Sequence, residues 1–212
     1  MINKVEQEFN RLLKKYPQTV GYDTETLNWS RISADEKLSE EFITKYWDKV
    51  HWRNISIYQK NLSEFLIEKF YNYVNWCAIS QYQTLSEIFI SKFHDEVNWY
   101  YISQYQKLSE SFIEEYQNCV EWNFISKQQK LSKIFIEKFK NEVNWYWITR
   151  KSTLSEKFIE KYQDKIDWEF VSEHYKLSMK FILKFQHKLN MDYLIRNNKI
   201  YITELLKINS KK

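Results

Sequence analysis

The 212-residue chain holds one glycine, Gly21, and one proline, Pro17. A single glycine cannot supply a glycine-rich phosphate loop, a dinucleotide fingerprint or the sharp turn that carries a nucleophilic serine, which excludes much of common enzymology. The two cysteines, Cys77 and Cys119, lack C-x-x-C spacing, so neither a disulfide framework nor a zinc site is suggested, and a reducing compartment fits. His51, His94, His174 and His187 show no ligand spacing such as H-E-x-x-H. Long apolar runs are missing, and the opening Met1-Ile2-Asn3-Lys4-Val5-Glu6 turns polar at once, without the apolar stretch of a secretory signal. The expectation is a cytoplasmic, non-enzymatic protein with no membrane association, no catalytic residues, no metal, no cofactor and no small-molecule substrate.

Hydrophobic residues are plentiful at 43%, with 18% aromatic, enough for a continuous core. The net charge of +4 is modest for a dedicated polyanion binder. It is unevenly spread: from Leu177 onward basic residues, among them Lys180, Lys184, Lys188, Arg196, Lys199, Lys207, Lys211 and Lys212, outnumber the acidic Asp192 and Glu204. This stretch reads either as a solvated end cap or as an electrostatic docking site for an acidic partner.

What dominates the chain is repetition. A Leu-Ser pair begins at Leu38, Leu62, Leu85, Leu108, Leu131, Leu154 and Leu177, and tryptophan keeps step at Trp29, Trp52, Trp76, Trp99, Trp122, Trp145 and Trp168, with Met191 in the next place. Both series slip by one residue in the same unit, and Asn61 accounts for the slip.

Each unit contains two helix starts. Ser86 suits an N-cap before Glu87, with Leu85 and Ile90 placed as a hydrophobic staple. Asn98 repeats the device before Trp99, with Val97 and Ile102 as the apolar pair. Phe89, Ile90, Phe93 and Val97 share one face of the first helix at 3.6 residues per turn, and Trp99 and Ile102 are expected to point inward from the second. Such an αα-hairpin cannot bury its own aromatic face, so it must stack on its neighbours. The predicted fold is all-α: a right-handed α-solenoid of stacked short αα-hairpins, about seven 23-residue repeats plus end caps. Residues 1–37 form an irregular N-terminal capping unit with a Pro17 to Asp23 loop. Residues 38–196 carry the tandem repeats, and residues 197–212 a capping helix after Thr203 and a basic tail, all in one continuous domain.

The string L-S-E-x-F-I-x-K-F-x-x-x-V-N-W-x-x-I-S-x-x-Q, over about residues 28–195, resembles tandem repeats of proteins from giant viruses, phages and other low-GC genomes, a repeat type without an established activity. The abundance of Lys, Asn, Ile and Tyr suits AT-rich coding. The resemblance implies a viral or phage source, and so work in the cytoplasm of a host cell, but no site residues.

Several columns have local explanations. The serines of the Leu-Ser pairs are caps. Glu40, Glu64, Glu87, Glu110 and Glu156 compensate helix dipoles, and Lys45, Lys69, Lys92, Lys138, Lys161 and Lys184 form a solvated row.

Two variable columns nevertheless carry large side chains. One runs Arg31, Asn54, Ala78, Tyr101, Phe124, Trp147, Phe170, Tyr193; the other, four residues further on, Tyr58, Tyr82, Tyr105, Gln128, Lys151, His174. They read either as packing between hairpins or as a groove, flanked by Gln59, Gln83, Gln106 and Gln129, in which Tyr101, Tyr105, Phe124, Gln128, Trp147, Arg150, Lys151, Phe170, His174 and Tyr193 bind a partner. Tyrosine and tryptophan anchors suit a protein or ribonucleoprotein. With the resemblance, the expectation is a scaffold that sterically inhibits a host defence effector such as a CRISPR nuclease, with RNA touched through the basic C-terminal part. The alternatives are a single-stranded RNA reader, in which rings stack bases while Lys127, Lys130, Arg150 and Lys151 meet phosphates, and a structural adaptor of a virus.

Overall fold

The computed structural model describes residues 3–16 and 27–198. The Pro17 to Asp23 loop, the capping helix after Thr203 and the lysines from Lys199 onward lie outside the described residues. Within those residues there are sixteen helices and no strand. After α1 (Lys4–Lys15), short helices alternate in the two registers of the repeat. Those that open on the Leu-Ser pair are α3 (Glu40–Lys45), α5 (Glu64–Lys69), α7 (Glu87–Lys92), α9 (Glu110–Glu115), α11 (Lys133–Lys138), α13 (Glu156–Lys161) and α15 (Met179–Phe185). Those that open on the tryptophan position are α2 (Trp29–Asp35), α4 (Trp52–Tyr58), α6 (Trp76–Tyr82), α8 (Trp99–Tyr105), α10 (Trp122–Gln128), α12 (Trp145–Lys151), α14 (Trp168–His174) and α16 (Met191–Asn198).

The chain divides into two compact units, residues 1–121 and 122–212. Each is a solenoid stack of αα-hairpins. In the first, the tryptophan helices α2, α4, α6 and α8 pack side by side in sequence order; in the second, α10, α12, α14 and α16 do so.

The helix starts fall where the capping chemistry places them. Ser86 accepts the Phe89 N–H and Asn98 accepts the Tyr101 N–H, each opening a helix with its side chain. The first helix is shorter than its apolar pattern suggests. It ends at Lys92, and Val97 closes a separate turn onto the Phe93 carbonyl. The Trp99 indole N–H donates to the His94 carbonyl at 3.0 Å, the acceptor a continuing helix would need.

The core is a double file of aliphatic side chains. Ile43, Ile67, Ile90 and Ile113 from the first helices and Ile32, Ile55, Ile79 and Ile102 from the second are almost fully enclosed in the first unit. Ile136, Ile159 and Ile182 with Ile125, Ile148 and Val171 continue the pattern in the second. Apart from Trp52, the tryptophans that open the second helices are less enclosed than the inward reading required: Trp99 is only half-buried, stacked against the Phe112 and Tyr116 rings at 6.2 and 4.9 Å with its N–H on a backbone carbonyl. Trp52 makes the equivalent bond to the Trp47 carbonyl at 2.9 Å and is buried, so the depth of each indole is set by the rings around it and not by that bond.

Successive hairpins are also tied by polar side chains. Ser56, at the fifth position of its helix, donates to the Trp52 carbonyl and accepts the Asn75 N–H of the next hairpin, and Ser80 accepts the Asn98 N–H in the same way. The glutamates do more than offset a dipole. Glu40 takes both the N–H and the hydroxyl of Ser63, and Glu64 and Glu87 treat Ser86 and Ser109 alike; Glu156 holds Ser178 in the second unit. The lysine row is likewise engaged, with Lys92 on Glu68 in one unit and Lys161 on Glu137 in the other. Helix α1 takes the place of a first helix in this scheme, since its Glu8 grips the N–H and hydroxyl of Ser39.

Candidate binding surface

The glutamine column belongs to the interior. Gln59, Gln83 and Gln106 are 4, 3 and 6% exposed. Each inserts its carboxamide between two hairpins. The Gln83 side-chain oxygen accepts the Leu62 N–H at 3.1 Å, and its NH₂ donates to the carbonyls of Ser56 and Gln59 at 3.4 and 2.7 Å. Gln106 repeats this on Leu85, Ser80 and Gln83. A groove wall of exposed amides is therefore corrected to an internal clamp, because the chain between hairpins leaves backbone groups that a long polar side chain must reach and satisfy. The signal was present in the sequence: a surface position used for recognition varies, and this one stays Gln through four consecutive units.

In the first unit the remaining columns separate by depth. Position three of the tryptophan helices is covered in α6 and α8, with Ala78 buried and Tyr101 half-buried against Tyr100 and Tyr105 at 5.3 and 6.2 Å, whereas Arg31 at that position of α2 is exposed. Position seven is open. Tyr58, Tyr82 and Tyr105 are 55, 52 and 50% exposed on the side-by-side helices α4, α6 and α8. Tyr100 is also exposed and was not singled out, its column being polar in most other units. Phe65 and Ile88, at the second position of α5 and α7, stand largely in solvent on the other helix set.

In the second unit the candidate residues form a chain of contacts between hairpins. Trp147 is half-buried, its N–H on the Asn123 side-chain oxygen at 3.2 Å and the Lys127 ammonium 4.9 Å from its ring. Arg150 lies over the Tyr146 ring at 3.4 Å and the Phe170 ring at 4.7 Å, and pairs with Asp167 at 2.5 Å. Phe170 in turn stacks on His174 at 4.0 Å. Burial works to raise the Asp167 carboxyl, but the Phe170 N–H and the Arg150 guanidinium outweigh it and hold it below the usual carboxylate range.

Phe124 and Tyr193 are half-buried, whereas Gln128, Lys151 and His174 are exposed at position seven. The packing and the groove readings thus divide between columns: position three mainly packs, and position seven faces outward. Arg150 is committed to Asp167 and two rings, and Lys151 donates to the Lys127 carbonyl. Neither is held as a bare cation awaiting a phosphate.

No group of three metal-capable side chains comes together among the described residues, and no helix there is long and apolar enough to cross a membrane. Neither a family model, nor a curated protein, nor a solved structure matches this chain.

Proposed function

We propose that the chain is a non-enzymatic binding scaffold whose tryptophan helices present position-seven side chains to a protein or nucleoprotein partner. The observation that carries this reading is the row Tyr58, Tyr82, Tyr105. Three half-exposed tyrosines occupy one outward position in successive hairpins, where the fold asks for no large side chain. Tyrosine supplies large amphipathic contact area at low entropic cost, as interface anchors do. The second unit, taken by itself, carries Gln128, Lys151 and His174 at the same position of its own tryptophan helices, a more polar set. The likeness of the repeat to those of viral and phage proteins supports a host protein as the partner, held in the cytoplasm and blocked sterically, a defence nuclease being one such target.

The test is retention of partners from host lysate on the immobilised chain, with and without nuclease. A protein retained after nuclease treatment is expected. Retention of RNA alone, lost at moderate salt, would replace this reading by the single-stranded RNA alternative. Self-association without capture would favour the structural adaptor.

A further inference from the structure

The clamp column runs Glu36, Gln59, Gln83, Gln106, Gln129, Ser152, Tyr175. At its end in the second unit, Tyr175 reproduces the clamp with different atoms. Its hydroxyl donates to the carbonyls of Thr149 and Ser152 at 2.8 and 2.5 Å and accepts the Leu154 N–H. Those are the backbone positions equivalent to the three that each glutamine holds. Ser152 is different. Its side chain stops at the β-hydroxyl, too short to span the step, and among the described residues that hydroxyl and the Leu131 N–H make no hydrogen bond. A cavity of about 290 Å³ lies there, lined by Ser126, Gln129, Leu131 and Ser152. Ser126, Gln129 and Leu131 are the residues a glutamine at position 152 would bridge.

We propose that this cavity receives a primary carboxamide, the side chain of a glutamine carried by a protein partner; the inference rests on reading the chain as a protein-binding scaffold. The same chain shows three times how such a seat is filled: an amide oxygen meets a leucine N–H while its NH₂ spans two carbonyls. A carboxylate has no donor for those carbonyls, and an aliphatic side chain has neither donor nor acceptor. The volume exceeds what a carboxamide side chain needs, so the seat takes the amide together with ordered water. Lys130, Lys133 and Lys151 line the same cavity, so the glutamine is flanked by acidic residues in the segment that carries it.

The experiment is an NMR titration of the full chain with the peptide acetyl-Asp-Gln-Asp N-methylamide and with its Asp-Leu-Asp counterpart, on the wild type and on Ser152→Gln. The glutamine peptide is expected to shift the Leu131 and Ser152 amides and to bind about tenfold more tightly than the leucine peptide, the equivalent of one or two buried hydrogen bonds. Ser152→Gln, which fills the seat from within, is expected to lose that preference and to melt at a higher temperature. Equal binding of the two wild-type complexes would overturn the proposal, as would a preference that survives Ser152→Gln. An equal response to cytidine, whose edge offers similar groups, would also overturn it by assigning the cavity to a nucleobase. The peptide comparison on the wild type stands even if the variant fails to fold. A chain that ignores both peptides yet retains a nuclease-resistant protein loses only this pocket, whereas one that retains no protein loses the scaffold reading.

Discussion

At the scale of single residues, neighbours in sequence hold opposite roles. Gln83 is 3% exposed and bridges three backbone groups, while Tyr82 beside it is 52% exposed. Replacing Gln83 by Ala strands a buried N–H and two carbonyls and is expected to cost about 2–3 kcal/mol in a denaturant titration. Tyr82→Ala should stay within about 0.5 kcal/mol of wild type. Equal losses would mean that the clamp has been misassigned. Trp99, being half-buried, should lose about 2–3 kcal/mol on replacement by Ala, below the ~3–5 kcal/mol of a fully enclosed tryptophan.

At the scale of elements, capping residues and the aromatic period located the helix starts to the residue: Ser86 before Glu87 and Asn98 before Trp99 stand in the structure as the sequence reading has them. The extra residue is equally legible. Asn61 has φ 61°, the left-handed region that asparagine enters more readily than a β-branched residue. Asn61→Gly is therefore expected to be near neutral, and Asn61→Val to cost about 1–2 kcal/mol by thermal melting. An indifferent valine would contradict the backbone assignment. What the sequence could not convey was partnership across hairpins. Glu64 and Ser86 each have a sufficient local explanation, and nothing in a linear pattern says that one grips the other.

Helix α1 offers a pH test of the same kind of partnership. Glu36 is buried against Lys15, Tyr16 and Arg11, and the hydrogen bond from Lys15 does most to hold its carboxyl down to about 2 against an ordinary 4.5. A carboxyl depressed in the folded state contributes stability above its unfolded value and loses it as pH falls through the folded one. The protection of the α1 amides, corrected for the intrinsic exchange rate at each pH, should hence fall between about pH 4.5 and 2. Protection of α1 that is flat across that window would remove Glu36 as its anchor.

At the scale of the whole molecule, nearest-neighbour ties predict a pattern of coupling. Gln83 donates to the Gln59 carbonyl, so Gln59→Ala and Gln83→Ala should be non-additive by about 0.5 kcal/mol or more, whereas Gln59→Ala and Tyr175→Phe, with no shared partner, should add. The candidate binding surface was legible only in part, because Tyr101, Tyr105, Phe124 and Trp147 are all large aromatic residues in variable columns. Their depths depend on neighbours that the spacing does not name: Tyr101 lies against Tyr105 of its own helix, and Trp147 against Asn123 of the preceding hairpin. On the proposed function, the fold and the partner surface occupy different columns of one repeat. That separation is tested most directly by the triple replacement Tyr58→Ser, Tyr82→Ser and Tyr105→Ser, comparing helicity, melting temperature and nuclease-resistant partner retention with wild type. The account predicts an intact stack that no longer holds its partner; a variant that unfolds, or one that retains the partner at wild-type level, would contradict it.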